Sequence, residues 1–363
     1  MSDPKPRAVI SAVGMVTAAG SGMRAFADAL ARGELLAKPA TLLDTSGFPA
    51  PAVCEVPGLD PRALARVPKD AKMLARSAVL SLGALADLRA GTPGALFGDP
   101  WRSGLFLGVG MEQGDHRDVL SMLTVSRGRK TSLLLSKIAA YGMGAMNPIA
   151  SLKTLPNMSL AHVGIKLGDE APRGANAAYS PFDAAPLEAL GAAAAAVWSG
   201  ECEAALAGGV DAPISLFGMT TFHRLGVASA TRPMGEAAAL FLVEPPERAA
   251  LAGRTPLALI EGWGSASDGA PTARPRTTTL AAAVTDALSW HGMTAASIDS
   301  VSLSAGDPLP DAHALGGEGL ARAEVAVPRR VFGEAVAGSG ALAIAGALSQ
   351  IARGRKRALA VAG

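Results

Sequence analysis

Residues 167–212 read LGDEAPRGANAAYSPFDAAPLEALGAAAAAVWSGECEAALAGGVDA (Leu167 to Ala212). The stretch passes from a polar loop through a sharp turn at Ser180-Pro181 into a long alanine-rich helix, then into a buried strand ending at Gly208-Gly209. Leu187, Leu190, Ala194 and Val197 form one apolar stripe at helical spacing, with Ser180 as N-cap, Pro181 in the first turn and Asp183 near the third helical position. Ala204 to Ala207 is short, continuously apolar and followed by glycines, which predicts a strand covered on both faces. A turn entering a helix N-terminus is where an enzyme places a nucleophile, because unpaired amides and the helix dipole stabilise negative charge there. This turn offers a serine and no cysteine.

Working outward, the 363-residue chain is 49% hydrophobic, enough to build the core of one large or two ordinary domains. Its 42 glycines and its alanine run predict tight packing of helices on sheets. A net charge of +2 gives no electrostatic case for nucleic acid or an anionic membrane, and the basic run Arg353 to Arg357 predicts a solvated helix end. Two lone cysteines, Cys54 and Cys202, make no disulfide framework, and neither their spacing nor histidine pairing suggests a metal site. Gly14, Gly20 and Gly22 lack the dinucleotide fingerprint spacing, so no cofactor is expected. No apolar run is long enough for a bilayer, and the opening MSDPKPRAV has no signal-peptide core, so the expected location is the cytoplasm.

In chain order, Ala8 to Gly14 predicts a buried strand, Met15 to Gly22 a glycine-punctuated loop, and Met23 to Gly33 a helix closed by its glycine. Prolines mark 35–68 as irregular; Lys69 to Arg89 predicts a helix and Leu105 to Gly110 a second buried strand. Met111 to Met146 predicts a surface helical excursion. Further elements are expected at Ala238 to Glu244 (strand), Glu247 to Gly253 (helix), Thr277 to His291 (amphipathic helix) and near Val301 (strand). PLALIEGWG (Pro256 to Gly264) echoes the opening ISAVG strand and glycine loop, the faint signature of two duplicated halves.

Several of these segments together resemble the ketosynthases of the thiolase superfamily, the condensing enzymes of fatty acid and polyketide synthesis. LPNMSLAHVGIKLG (Leu155 to Gly168) is similar to the family's "PNM...H..I..G" segment, Ala207 to Ala212 to its "AGG.EA" strand end, and Gly218 to Gly226 continues the match. The resemblance implies an α/β, thiolase-like fold, layered αβαβα, with two pseudo-duplicated halves at 1–250 and 251–363, the second truncated. In the family a cysteine in this turn carries the acyl chain as a thioester. Counting forward from Pro172 puts Ser180 there, and counting back from Gly191 and Gly200 puts Asp183 there. The family's first catalytic histidine corresponds to Ser304, its second to Glu334, and its arginine- and phenylalanine-bearing loop collapses to Met234-Gly235-Glu236-Ala237. Ala358 to Gly363 does not run on into the family's terminal glycine loop.

The chemistry points the same way without the family. Claisen condensation needs a soft nucleophile that forms an exchangeable thioester, and neutral imidazoles that stabilise the oxyanion. His162 belongs to an apolar helix and reads as structural, while His116, His223, His291 and His313 lie in loop or helix-end contexts without a cysteine partner. His313, two residues after Asp311, can be read with Ser180 or Ser304 as a hydrolase triad, but no G-x-S-x-G elbow accompanies it. Cys202 reads as a small inert core residue. The expectation is a catalytically inactive ketosynthase homologue resembling a chain length factor, paired with an active ketosynthase paralogue or with itself, with acyl carrier protein as a further partner. Val197 to Ala212 and the Met111 to Met146 excursion are the expected dimer surfaces. Two alternatives stand beside it: a thiolase-like scaffold or adaptor, for example in a secretion-system cluster, and a residual acyl transferase using Ser180.

Overall fold

Ala8 to Thr17 is an almost wholly buried strand, β1, and the next long strands in the chain are equally covered: β2 (Ser103–Val109), β4 (Ala204–Asp211) and β5 (Ala237–Glu244). Between them β3 (Asn176–Tyr179) is short and half-exposed, and β6 (Ala258–Ile260) follows β5. The computed structural model describes residues 7–111, 116–129, 132–180, 182–269, 277–304 and 312–363. Strands β1, β5, β4, β2 and β3 lie side by side in that order, with Gly20–Ser21 and β6 both pairing on the outer edge of β1. β2 runs parallel to β3 and β4, whereas β5 is antiparallel to both its neighbours. A second sheet of three parallel strands has the order β8 (Glu324–Ala326), β7 (Ser300–Ser304), β9 (Ala358–Ala362).

Helices fill three layers around these two sheets. On one face of the large sheet lie α1 (Arg76–Gly91) and α2 (Met158–Leu167), packing Leu80, Leu85, Leu88 and Val163 against Leu107, Leu206 and Leu240. The other face carries α3 (Ala185–Trp198) and α6 (Ala337–Ala352), with Ala189, Ala193, Leu342 and Ala345 against Phe106, Ala207 and Phe241. α6 also rests on β7 and β9, so it is buried from Ala337 through Gln350 and is apolar all round, as a helix held between two sheets must be. Beyond the small sheet, α4 (Thr277–Ser289) and α5 (Ala312–Ala321) close the stack through Leu280, Val284, Val301, Leu303 and Leu320. The result is the layered αβαβα arrangement of the thiolase-like fold. Among the described residues no helix is long and apolar enough to cross a membrane.

Several local expectations shift for identifiable reasons. The loop before the decisive helix contains a strand, β3, because its backbone pairs with the open edge of β2. The helix then begins at Ala185 after a 3-10 turn at Phe182–Ala184, so Ser180 is not its N-cap. The strand expected to end at Gly208-Gly209 runs on to Asp211, and those two glycines are kept small by Ala239 and Pro186. β4 lies between β2 and β5, so that part of the expected Val197 to Ala212 surface is interior. The Lys69 to Arg89 helix is split at Leu74-Ala75, with a 3-10 turn at Pro68–Met73 ahead of α1.

Two buried carboxylates pin the ends of β5. Glu236, just before it, accepts from Arg76 and from the Val56 N–H; Glu244, its last residue, is held by Arg248, by Ser11 and by the Arg254 guanidinium at 2.8 Å. Buried charges of this kind are tolerated only when paired.

Close backbone approach gives a direct test. A Cβ on Gly108 would lie 2.4 Å from the Pro186 nitrogen, where α3 seats on β2. We expect Gly108→Ala to cost about 3 kcal/mol in urea unfolding, because neither backbone can withdraw without opening the sheet. An equivalent change at Gly91, with open space around it, should cost far less.

Candidate functional site

α3 enters the middle layer through a tight bend. Tyr179 ends β3, Phe182 adopts φ 50°, and the 3-10 turn delivers Asp183 to the start of the helix. Opposite it, the chain turns from Phe332 through Gly333 (φ 70°) and Glu334 to Val336 (φ 49°, ψ −117°), and α6 begins. Phe182 and Val336 are the two non-glycine residues with positive φ among the described residues, and they flank the same spot. A β-branched residue in that region costs on the order of 1–3 kcal/mol, and such strain collects where surrounding structure holds particular groups in place.

The groups held there are two carboxylates. Glu334 is buried; its carboxylate accepts from the Val336 N–H at 3.0 Å and from Ser339 Oγ at 3.0 Å, with Arg329 Nη1 at 3.5 Å. Ser339 Oγ in turn accepts from the Ala335 N–H. The Pro233–Gly235 segment clamps the Glu334 backbone from both sides, through Gly235 N–H to Glu334 O and Glu334 N–H to Pro233 O, each 2.8 Å. Asp183 faces this cluster. Burial pushes its carboxyl up to about 7, and the negative charge of Glu334 adds to the rise. The Gly363 N–H, its own backbone N–H and the Arg329 charge oppose that shift.

Of the residues singled out in the sequence, the structure brings Asp183 and Glu334 together and places Ser304 nearby. Ser304 is the last residue of β7, buried, and pairs in register with Ala362, next to the Gly363 that donates to Asp183. Its hydroxyl has no hydrogen-bond partner among the described residues. Ser180 is exposed, before the bend. Asp311 and the His313 side chain, two of the three members of the conceivable triad, lie outside the described residues. Arg329, Ser339 and the Gly363 amide carry no local pattern that marks them: Arg329 comes from the short helix Arg329–Phe332 ahead of α6, Ser339 from α6 and Gly363 from just past β9.

Among the described residues, the thiols and imidazoles sit elsewhere. Cys54 is buried, its Sγ 3.9 Å from the Val331 carbonyl, and burial pushes its thiol up to about 12; burial also raises Cys202. His162 is enclosed in α2, where burial holds its imidazole below the usual range. His223 stacks on Phe48 and His291 packs edge-on to Trp198. The cluster can hold and exchange a proton, but it contains no soft nucleophile.

The proton on Asp183 makes stability pH-dependent. Its carboxyl titrates near 3.8 when unconstrained and at about 7 when folded, so between these values the folded state holds more protons than the unfolded one. Stability therefore falls as pH rises through that window and levels off above it. Urea midpoints of the native chain should decline relative to Asp183→Asn across this interval; parallel curves would contradict the assignment.

Comparison with known proteins fits this architecture. Residues 5–240 match the model of the beta-ketoacyl synthase N-terminal domain. A 3-oxoacyl-[acyl-carrier-protein] synthase 2 of Mycobacterium bovis is 28% identical over 270 residues, 66% of this chain and 63% of the relative, so the chain spans under two thirds of the curated relatives it matches. Among solved structures, the ishigamide ketosynthase/chain length factor superposes with a TM-score of 0.74 at 22% identity, covering 96% of this chain and 87% of that one. A beta-ketoacyl synthase from Burkholderia phymatum STM815 gives 0.75 at 21% identity, covering 96% and 86%. With a family model matched over well more than half its length, on the layered fold and the strand-to-helix bend described above, the chain belongs to the beta-ketoacyl synthase family.

Proposed function

We propose that this chain is a non-catalytic partner of a cysteine-bearing ketosynthase, in the manner of a chain length factor. The observation that carries this is the carboxylate pair at the entrance to α3, where Asp183 faces Glu334; on this reading Asp183 stands for the family's acyl-carrying cysteine and Glu334 for a catalytic histidine. A carboxylate attacks thioesters poorly, and its acyl product is a water-labile anhydride rather than an exchangeable thioester. Glu334 would also repel a developing oxyanion by on the order of several kcal/mol in a dry site. With Ser304 at the remaining histidine position, the constellation lacks every group that carbon–carbon bond formation requires of this fold.

The surface supports a partner. The segment from Leu120 to Leu155 exposes Leu134, Leu135, Tyr141, Met143 and Leu152, with Leu135 81% exposed. Apolar side chains clustered this densely mark a surface that another protein covers. β3 ends its sheet, so its outer backbone edge is available for pairing as well. The partner that fits is an active ketosynthase, which would supply the thiol, the imidazoles and the contact with acyl carrier protein.

Co-expression with a cysteine-bearing paralogue should give a heterodimer by light scattering. Leu135→Arg combined with Tyr141→Arg should weaken it by about tenfold or more, the scale of losing one well-packed anchor. A stable homodimer indifferent to the paralogue would contradict the proposal and favour an adaptor role. Incubation of the purified chain with acyl carrier protein thioesters should leave its intact mass unchanged; an adduct mapped to Ser180 or Asp183 would overturn the inactive assignment.

A further inference from the structure

The segment from Leu120 to Leu155 carries more than exposed apolar side chains: it holds five lysines and arginines and no aspartate or glutamate. The whole chain is only +2, so the remainder is net acidic and positive charge is gathered in this lobe. A helix at His116–Val125 opens the lobe, and the chain then doubles back, with the Leu134 N–H reaching the Ser126 carbonyl at 3.0 Å. Leu135–Lys137 and a π-helical turn at Ile138–Gly142 follow and pack on that helix. Between His116 and Ile149, only Ser126 and Gly142 are buried among the described residues, so the lobe has no apolar core of its own.

Its charges are sorted by position. Asp118, the acid nearest the segment, is turned inward and accepts from Lys153 Nζ at 2.9 Å and from Asn147 Nδ2 at 2.6 Å. Arg127, Arg129 and Lys137 make no ion pair with any described residue. Lys137 Nζ donates instead to the Arg127 carbonyl at 2.8 Å, which holds its charge against the turn. Arg127 stands across that turn from Leu133, and both it and Arg129 are exposed, as are Leu134, Leu135, Tyr141 and Met143. Cations therefore face outward among the apolar side chains, and the neighbouring acid is neutralised within.

A covering surface must meet both kinds of group. Exposed Ser121 and Ser136 lie in the same face, and hydroxyls and unpaired cations are satisfied by the polar groups of a protein surface, which a hydrocarbon layer lacks. A symmetric pairing of two copies through this face would set the lobe against its own counterpart, cation to cation. An apolar protein face rimmed with carboxylates fits on every count.

We propose that this basic lobe selects its partner: the ketosynthase face that covers Leu120 to Leu155 carries carboxylates opposite Arg127, Arg129 and Lys137, and the same cations reject a second copy of this chain. The identity of the partner rests on the chain-length-factor reading; its acidic face rests on the charges of the lobe.

The measurement is the affinity of the purified chain for the cysteine-bearing paralogue with which it co-expresses. From about 50 to about 500 mM sodium chloride, the dissociation constant should rise about tenfold or more as the cations are screened. Arg127→Glu combined with Arg129→Glu should cost about as much at low salt and flatten the salt dependence, with the corresponding glutamine pair falling between. Both are exposed changes, and unchanged thermal midpoints verify that the variants fold. A zero-length carbodiimide cross-link should join Lys137 to a partner aspartate or glutamate, and the chain alone should stay monomeric at low salt. A heterodimer broken by Leu135→Arg with Tyr141→Arg, yet indifferent to salt and to both arginine pairs, would overturn the acidic face and leave the chain-length-factor reading standing. No heterodimer at any salt would overturn both. A homodimer that tightens as salt falls would put a second copy on the face. Binding to phosphatidylcholine vesicles containing about a quarter phosphatidylglycerol, abolished by the arginine reversal while the heterodimer survives it, would make the lobe a lipid-binding surface and overturn the proposal.

Discussion

The architecture hinges on how closely the start of α3 is pressed into its surroundings. A Cβ on Gly108 would sit 2.4 Å from the Pro186 nitrogen, one on Gly209 would sit 2.3 Å from Pro186 Cγ, and one on Gly340 would sit 1.9 Å from the Asp183 carbonyl oxygen. Two strands and the central helix therefore meet the bend at 183–186 with glycine each time. Only then can α3 and α6 share a single layer between the two sheets, and only then do the N-terminal ends of both helices point at one spot. The alanine-rich faces of both helices follow from the same constraint, since larger side chains would separate the layers.

That spot would suit a nucleophile, and in this chain it holds acids. Helix N-termini favour negative charge, which gives Asp183 and Glu334 a reason to be tolerated there. Yet burial disfavours the charged form of Asp183, and the negative charge of Glu334 beside it adds to that, so its titration is raised. The Val336 amide, Ser339 and Arg329 together satisfy the Glu334 carboxylate. The strained φ angles at Phe182 and Val336 persist around it, held in place by the surrounding packing.

Electrostatics away from the site serve the sheet. Glu236 and Glu244 bracket β5: Glu236 draws in Arg76 from far earlier in the chain, and Glu244 is held by Arg248 and Arg254 from the segment just after it. Each carboxylate sits where a β5 end meets a loop, so the ion pairs fix the lateral position of the strand that joins β1 to β4. Glu236 stood out in the sequence only as part of a shortened loop; its partner Arg76, 160 residues earlier, gave no sign of the connection.

Sequence alone determined the elements whose cause is local. Continuous apolar runs marked β1, β2, β4 and β5, since strands covered on both faces must be apolar at every position, and helical spacing marked α3 and α4. The want of a cysteine at the bend was visible too, because composition needs no coordinates. What the tertiary structure decided has causes spread along the chain. β3 exists only because β2 has an edge to pair with, and Gly208-Gly209 continues a strand because Ala239 and Pro186 leave no room for side chains. That Asp183 faces Glu334 while Ser180 stays exposed before the bend follows from the 3-10 turn at Phe182–Ala184 and from the packing of α6 against both sheets, which brings Glu334 and Gly363 to the Asp183 carboxyl.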